Sequence, residues 1–156
     1  MDKTYFMRRA IALSLDMMRA GRGGPFGAIV VKDNQIIGEG YNKVTSTQDP
    51  TAHAEIVAIR EACRTLGSFS LSGCEIYTSC EPCPMCLSAI YWARLERLYF
   101  ANTRTDAAAI GFDDEKIYKE IGKPLADQRI PTTQLLAEEG AAAFREWEDK
   151  ADKVPY

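Results

Sequence analysis

An α/β architecture, helices flanking both faces of a mixed sheet, follows from three features of the 156-residue sequence. Helix-period and strand-period segments alternate along the chain. The first two strand-like runs are joined by a tight turn, so they form an antiparallel hairpin. Each later strand follows a helical run, so it adds in parallel, right-handed fashion through a crossover. Such an order buries a sheet between two helical layers. The length suits one domain, residues 1–156, able to bury roughly two thirds of its unfolded surface.

The elements can be justified in turn. Phe6, Ala10, Leu13, Met17 and Ala20 recur at spacings of four and three, which predicts an opening helix. Gly21-Arg22-Gly23-Gly24-Pro25 stops it. Arg8-Arg9 and the apolar stretch from Ala10 to Leu15 faintly resemble a secretory signal, but Asp16 ends that stretch early. Gly27 to Val31 reads as a strand, Lys32-Asp33-Asn34-Gln35 as a tight turn, and Ile36 to Asn42 as the hairpin partner. Asp49-Pro50-Thr51 reads as the start of a second helix, with proline in its first turn. Its buried stripe is expected at Ile56, Ile59, Cys63 and Leu66, and Gly67 closes it. Glu75 to Ser79 is a strand, Pro84 to about Ala93 a helix, and Arg97 to Ala101 another strand. Helical segments fill residues 105–121 loosely and 134–150 more firmly.

Composition narrows function. Hydrophobic residues make up 46% and charged ones 26%, which excludes disordered and fibrous classes. Nineteen Lys+Arg stand against 22 Asp+Glu, so the chain lacks the basic surplus of a nucleic-acid binder. No apolar run approaches the roughly 18 residues of a membrane span. There are five cysteines: Cys63, Cys74, Cys80, Cys83 and Cys86. The odd count, with three of them crowded together, points to metal or redox chemistry in a reducing cytoplasm, not to a disulfide framework.

Two short stretches carry the chemistry: Thr51-Ala52-His53-Ala54-Glu55, and Ser79-Cys80-Glu81-Pro82-Cys83-Pro84-Met85-Cys86. His53 is the one histidine of the chain. With Cys83 and Cys86 it makes three protein ligands for zinc, and three ligands leave a position for water, as catalytic zinc sites do. Pro84 in a first helical turn puts Cys83 near the N-cap and Cys86 in the same turn, where the helix dipole favours thiolates. His53 and Glu55, two apart, would point about 200° away from each other in mid-helix. At a helix start both can border one pocket. Two helix N-termini are therefore expected to converge on one metal. Activated water needs a proton acceptor that is not itself a ligand, and Glu55 is placed to serve. H-x-E followed by P-C-x-x-C is the signature of zinc nucleobase deaminases.

Each piece also has an ordinary reading. A single histidine packs or caps, and a glutamate in a first turn complements the helix dipole. C-x-x-C also occurs in redox pairs and structural zinc sites. Cys80 extends the run to C-x2-C-x2-C, which is similar to an iron–sulfur run without its fourth cysteine. It either packs as a small apolar residue or closes the zinc as a fourth, inactivating ligand.

The chain resembles the cytidine-deaminase-like zinc superfamily, and within it the bacterial guanine deaminases. The similarity runs through Gly23-Gly24-Pro25-Phe26-Gly27-Ala28, Asp49 to Glu55, Thr78 to Cys86, Thr105-Asp106-Ala107-Ala108, and Gly111-Phe112-Asp113-Asp114 leading to Ile117-Tyr118-Lys119-Glu120. It implies a three-layer α/β/α sandwich around a mixed five-stranded sheet. It implies zinc (Zn2+) on His53, Cys83 and Cys86, and hydrolytic deamination of guanine to xanthine and ammonia with Glu55 as proton shuttle. Asp114 would be a second carboxylate facing the amino group. Asn42 and the Ala54 N–H would hydrogen-bond the purine, and Phe26 and Trp92 would border it. Tyr156 would close the pocket from a partner, the segment from about residue 130 to 156 swapping within a homodimer.

By composition alone these last positions stay open. Asp113-Asp114-Glu115 is an ordinary solvated helix start. Phe26 and Trp92 read equally as core, Asn42 as turn chemistry, and Tyr156 as a frayed end. Guanosine or cytosine deamination fits the same zinc chemistry. Adenosine deamination in transfer RNA fits less well, because an RNA enzyme should carry a basic groove and the net charge of −3 weighs against one. A non-catalytic zinc scaffold has no use for a free Glu55.

Overall fold

The computed structural model describes residues 2–156, which form two compact units, one ending at Asp114 and one spanning Glu115–Tyr156. The first unit runs α1 (Lys3–Arg19), β1 (Gly27–Lys32), β2 (Gln35–Tyr41), α2 (Val44–Thr47), α3 (Ala54–Leu66), β3 (Cys74–Cys80), α4 (Pro84–Trp92), β4 (Arg97–Asn102) and α5 (Arg104–Ala109). The second holds α6 (Glu115–Ile121), a 3₁₀ turn at Leu125–Asp127, and α7 (Ala137–Asp149).

The sheet order is β2-β1-β3-β4. Strand β1 is antiparallel to both β2 and β3, and β4 is parallel to β3. Strands β2 and β3 therefore run the same way, as their crossover through α3 requires, with β1 between them. Asp33 and Asn34 both take positive φ, 49° and 61°, the two-residue turn that matches hairpin twist. The sheet has four strands, not the five the resemblance implies: β4 leads directly into α5, and residues 115–156 contribute no strand.

Strand β1 shows why three layers form. Its side chains alternate between faces. Ala28 and Val30 join the core made with α3 and α4, including Ala58, Ala62, Ile76 and Ile90. Ile29 and Val31 join the opposite core, made with Phe6, Ala10 and Leu13 of α1 and with Tyr77. Asp2 caps α1, its Oδ1 accepting from the Thr4 N–H at 3.3 Å. Met17 is only half-buried and Ala20 exposed, so the buried face of α1 ends earlier than its periodicity predicts.

Two expectations about the second helix need correction. Asp49-Pro50-Thr51 is a turn and not a helix start: Asp49 Oδ1 accepts from the Thr51 N–H at 2.8 Å and its hydroxyl at 2.6 Å. The helix begins at Ala54. Its fully buried residues are Ala54, Glu55, Ala58 and Ala62, while Ile59, Cys63 and Leu66 pack at the margin. The cause is close approach to β2. A Cβ on Gly38 would lie 2.5 Å from the Ala58 carbonyl oxygen, and one on Gly40 2.5 Å from the Ala58 nitrogen. Small residues facing glycines bring α3 down onto the sheet.

Within the second unit, Glu120 ties α6 to the segment after it, its Oε2 accepting from the Arg129 N–H at 2.6 Å. Leu135, Phe144 and Tyr156 are exposed. No helix among the described residues is long and apolar enough to cross a membrane.

The α3–β2 contact makes a prediction. Gly40→Ala should destabilise the protein by about 1–3 kcal/mol, the usual cost of overpacking. Gly140→Ala, in α7 with nothing within 4 Å of its new methyl, should be neutral or gain about 0.5–1 kcal/mol. Denaturant midpoints of the two variants check this; equal midpoints would contradict the close contact.

Candidate active site

One end of the sheet collects the chemistry. Strands β2, β3 and β4 run parallel to one another, so their C-terminal ends lie together, beside the start of the antiparallel β1. The Asn42 N–H donates to the Phe26 carbonyl at 3.1 Å, extending the β1–β2 ladder one pair beyond Gly27 and Tyr41. The Gly27 N–H donates to Ser79 Oγ at 3.0 Å, fixing the end of β3 against the start of β1.

Two helices start at this end, and each begins on a predicted ligand. His53 is the N-cap of α3 and Cys83 the N-cap of α4, both extended, and neither side chain caps its helix. Pro84 occupies the first turn of α4, where a missing N–H costs nothing. His53 Nδ1 lies 3.5 Å from Cys83 Sγ and 3.6 Å from Cys86 Sγ. The three ligand atoms all fall within 4.8 Å of one another. A tetrahedral zinc, with Zn–S about 2.3 Å and Zn–N about 2.0 Å, needs its nitrogen and sulfur ligands about 3.5 Å apart. The residues fit the metal, and Nδ1 is the nitrogen that faces it.

The pairing inside the cluster sets its protonation. A hydrogen bond from the Cys86 thiol brings Cys83 down to about 4, and the same bond pushes Cys86 up. The hydrogen bond with Cys83 raises His53. A ligated cation displaces the thiol proton, because the thiolate is the ligand form.

Glu55 sits beside this cluster and outside it. It is 8% exposed, and its Oε2 accepts from Cys86 Sγ at 3.4 Å. Burial raises its carboxyl above the ordinary range, with the Cys83 charge adding to the rise. A buried acid beside a candidate metal site, poised to hold or release a proton, is what general acid–base chemistry needs.

Cys80 is not part of the cluster. It is 7% exposed at the end of β3, and its thiol points to the Thr103 carbonyl at 3.7 Å. Burial pushes its thiol up to about 11, and it packs as a small apolar group.

The remaining sequence-predicted residues are distributed unevenly. Asn42 is buried, and its Oδ1 accepts from the Val44 N–H at 3.2 Å, leaving its amide N–H groups to donate elsewhere. Ala54 is the first residue of α3, so its N–H has no intrahelical acceptor. Phe26 packs at the core margin. Asp114 is half-buried; burial raises its carboxyl, Arg104 pulls it down, and Cys83 pushes it up again. It is thus within electrostatic reach of the cluster. Trp92 is not brought to the cysteines: it ends α4, 66% exposed, while Cys83 and Cys86 lie at the helix start. Tyr156 lies in the second unit and is exposed.

Sequence reasoning gave Phe112 no role, yet its ring meets Phe26 edge-on at 4.9 Å between centroids. It also passed over Ser79 and the Gly38/Gly40 pair. The Gly-x-Gly spacing of β2, matched by Ala54, Ala58 and Ala62, was the available signal for that pair.

Comparison with known proteins agrees with this geometry. Residues 1–102 match the family model of the cytidine and deoxycytidylate deaminase zinc-binding region. Over the full length of both chains the sequence is 52% identical to guanine deaminase of Bacillus subtilis (strain 168). The X-ray structure of the guanine deaminase from that organism superposes with a TM-score of 0.97, covering 100% of this chain and 99% of the other. A guanine deaminase structure from Nitrosomonas europaea superposes at 0.69 with 30% identity, covering 96% and 86% of the two chains. The tRNA-specific adenosine deaminase of Aquifex aeolicus (strain VF5) is 33% identical over 147 residues, 94% of each chain.

The burial of Glu55 predicts a pH signature in the metal-stripped protein. A carboxyl raised by folding contributes stability that is full below its ordinary value of 4.5 and lost as pH rises through the folded value. Glu55→Gln cannot ionise and escapes that loss. Its stability relative to the parent should therefore climb as pH rises above 4.5, read from denaturant midpoints in chelator. A difference independent of pH would contradict the burial.

Proposed function

The chain belongs to the cytidine and deoxycytidylate deaminase zinc-binding family, and from that premise we propose that it deaminates guanine hydrolytically, releasing xanthine and ammonia. The observation that carries the reading is the pairing of a three-ligand metal cluster with a buried, non-ligating acid. The 52% identity to a guanine deaminase, running through residues 115–156 as well as the zinc region, selects the substrate. Water adds its oxygen to C2 of the purine, the exocyclic C–N bond breaks, and the amine leaves as ammonia.

Zinc on His53, Cys83 and Cys86 supplies Lewis-acid activation of water at neutral pH. Glu55 takes the proton from the attacking water, passes it to a ring nitrogen and then to the departing amine. Its raised proton affinity suits both acceptance and delivery. Asp114 accepts from the N–H groups of the amino-bearing edge. The Asn42 amide and the Ala54 N–H donate to purine acceptors. Phe26, braced edge-on by Phe112, offers a flat apolar wall. Tyr156 closes the pocket in an assembled homodimer, where the C-terminal segment of one copy serves the other. The exposed apolar side chains of residues 115–156, Phe144 and Leu135 among them, support that assembly. Five cysteines without a disulfide support a reducing, cytoplasmic setting.

Adenosine in transfer RNA is the second reading, kept by the 33% identical relative. The net charge of −3 weighs against an RNA partner.

Glu55→Gln should keep one zinc per chain while ammonia release from guanine falls by about 100- to 10,000-fold. Unchanged turnover would remove the proton-shuttle role. On a panel of guanine, guanosine, cytosine, adenine and adenosine in an RNA hairpin, guanine should give the highest kcat/KM. Preference for the hairpin would transfer the chain to the second reading.

A further inference from the structure

Four hydrogen bonds and one ion pair bind the β4–α5 junction to the cysteine loop. The Glu81 N–H donates to the Asn102 carbonyl at 2.8 Å, and Asn102 Nδ2 to the Ser79 carbonyl at 3.0 Å. The Cys80 thiol meets the Thr103 carbonyl at 3.7 Å. The Arg104 N–H donates to Glu81 Oε2 at 2.9 Å, and Arg104 Nε stands 4.0 Å from Glu81 Oε1. Glu81 therefore holds the first residue of α5 while sitting two positions before Cys83. A capping box between Thr103 and Asp106 stiffens the same turn.

From that fixed start the chain is short and braced. Helix α5 spans only Arg104–Ala109, the Phe112 N–H donates back to the Ala107 carbonyl at 3.0 Å, and the Phe112 ring rests on Phe26. Asp114 comes two residues later. Where α5 begins thus decides where Asp114 arrives.

We propose that Glu81 and Arg104 are a positioning pair, locking the start of α5 to the cysteine loop so that Asp114 is presented to the metal centre at a fixed place. The inference rests on the reading of Asp114 as the second carboxylate. Glu81 and Arg104 each keep about a third of their side-chain surface exposed, and their charged groups stand 4.0 Å apart, so the ion pair contributes little to stability. Arg104 also acts on the charge of Asp114, opposing the effect of burial. Arg104 thus pairs with Glu81 of the cysteine loop while its charge also bears on Asp114.

The test compares Arg104→Gln, Arg104→Lys, Glu81→Gln, Asp114→Asn and the double variant Arg104→Gln/Asp114→Asn in the full chain loaded with zinc. Arg104→Gln should lower kcat for guanine by about 10- to 100-fold, the usual loss when a supporting partner is removed. Zinc content and melting temperature should stay at parental values, and KM should move less than kcat. Arg104→Lys keeps the charge and should recover most of the loss. Added to Asp114→Asn, Arg104→Gln should cost nothing further, because both act through one group. Parental kcat in Arg104→Gln, or additive losses in the double variant, overturns the pairing while Asp114 keeps its role. Loss of zinc or folding in both Arg104→Gln and Glu81→Gln makes the pair structural and also overturns it. Full turnover in Asp114→Asn removes the reading of Asp114 itself, and the inference falls with it.

Discussion

Two helices must begin at the same point for this site to exist, and close packing of α3 against β2 is what allows it. His53 and Cys83 are thirty residues apart and lie on different strand-to-helix turns. Their side chains meet at 3.5 Å only because both helices start at the C-terminal ends of strands that run the same way. Gly38 and Gly40 facing Ala54, Ala58 and Ala62 set the height of α3 above the sheet. A bulkier seam would lift the helix, and His53 and Glu55 would move with it.

The N-cap position serves an unusual purpose at both turns. A cap residue ordinarily spends its side chain on the first N–H groups of the helix. Here His53 and Cys83 turn theirs toward each other, at 3.5 Å. The dipole ends of α3 and α4 then bear on one small volume, favouring thiolate at Cys83. Glu55, in the first turn of α3, is buried in that volume with its charge opposed by desolvation. The fold thus places a desolvated carboxyl next to a candidate cation site.

Much of this was legible from residues alone. The strand and helix order, the ligand trio and the free acid follow from hydrophobic period, Pro84 and the spacing of His53, Glu55, Cys83 and Cys86. The start of α3 was misplaced because Asp49-Pro50-Thr51 has helix-start chemistry, while its side chains close a turn instead. The buried stripe of α3 was misread because hydrophobicity favours Ile59 and Leu66, whereas contact distance favours alanine. The strand count depends on the path of the chain beyond Asn102, where it enters a capped helix. Glu81 and Arg104 gave no signal, since a surface acid and a surface base twenty-three residues apart look like solvated charge until β4 sets them together.

X-ray absorption at the zinc edge tests the central claim most directly, on the zinc-loaded protein without substrate. The account predicts a first shell of two sulfurs and two light atoms, one of them from an imidazole. A shell of three sulfurs would mean that Cys80 has closed the centre, and would contradict it.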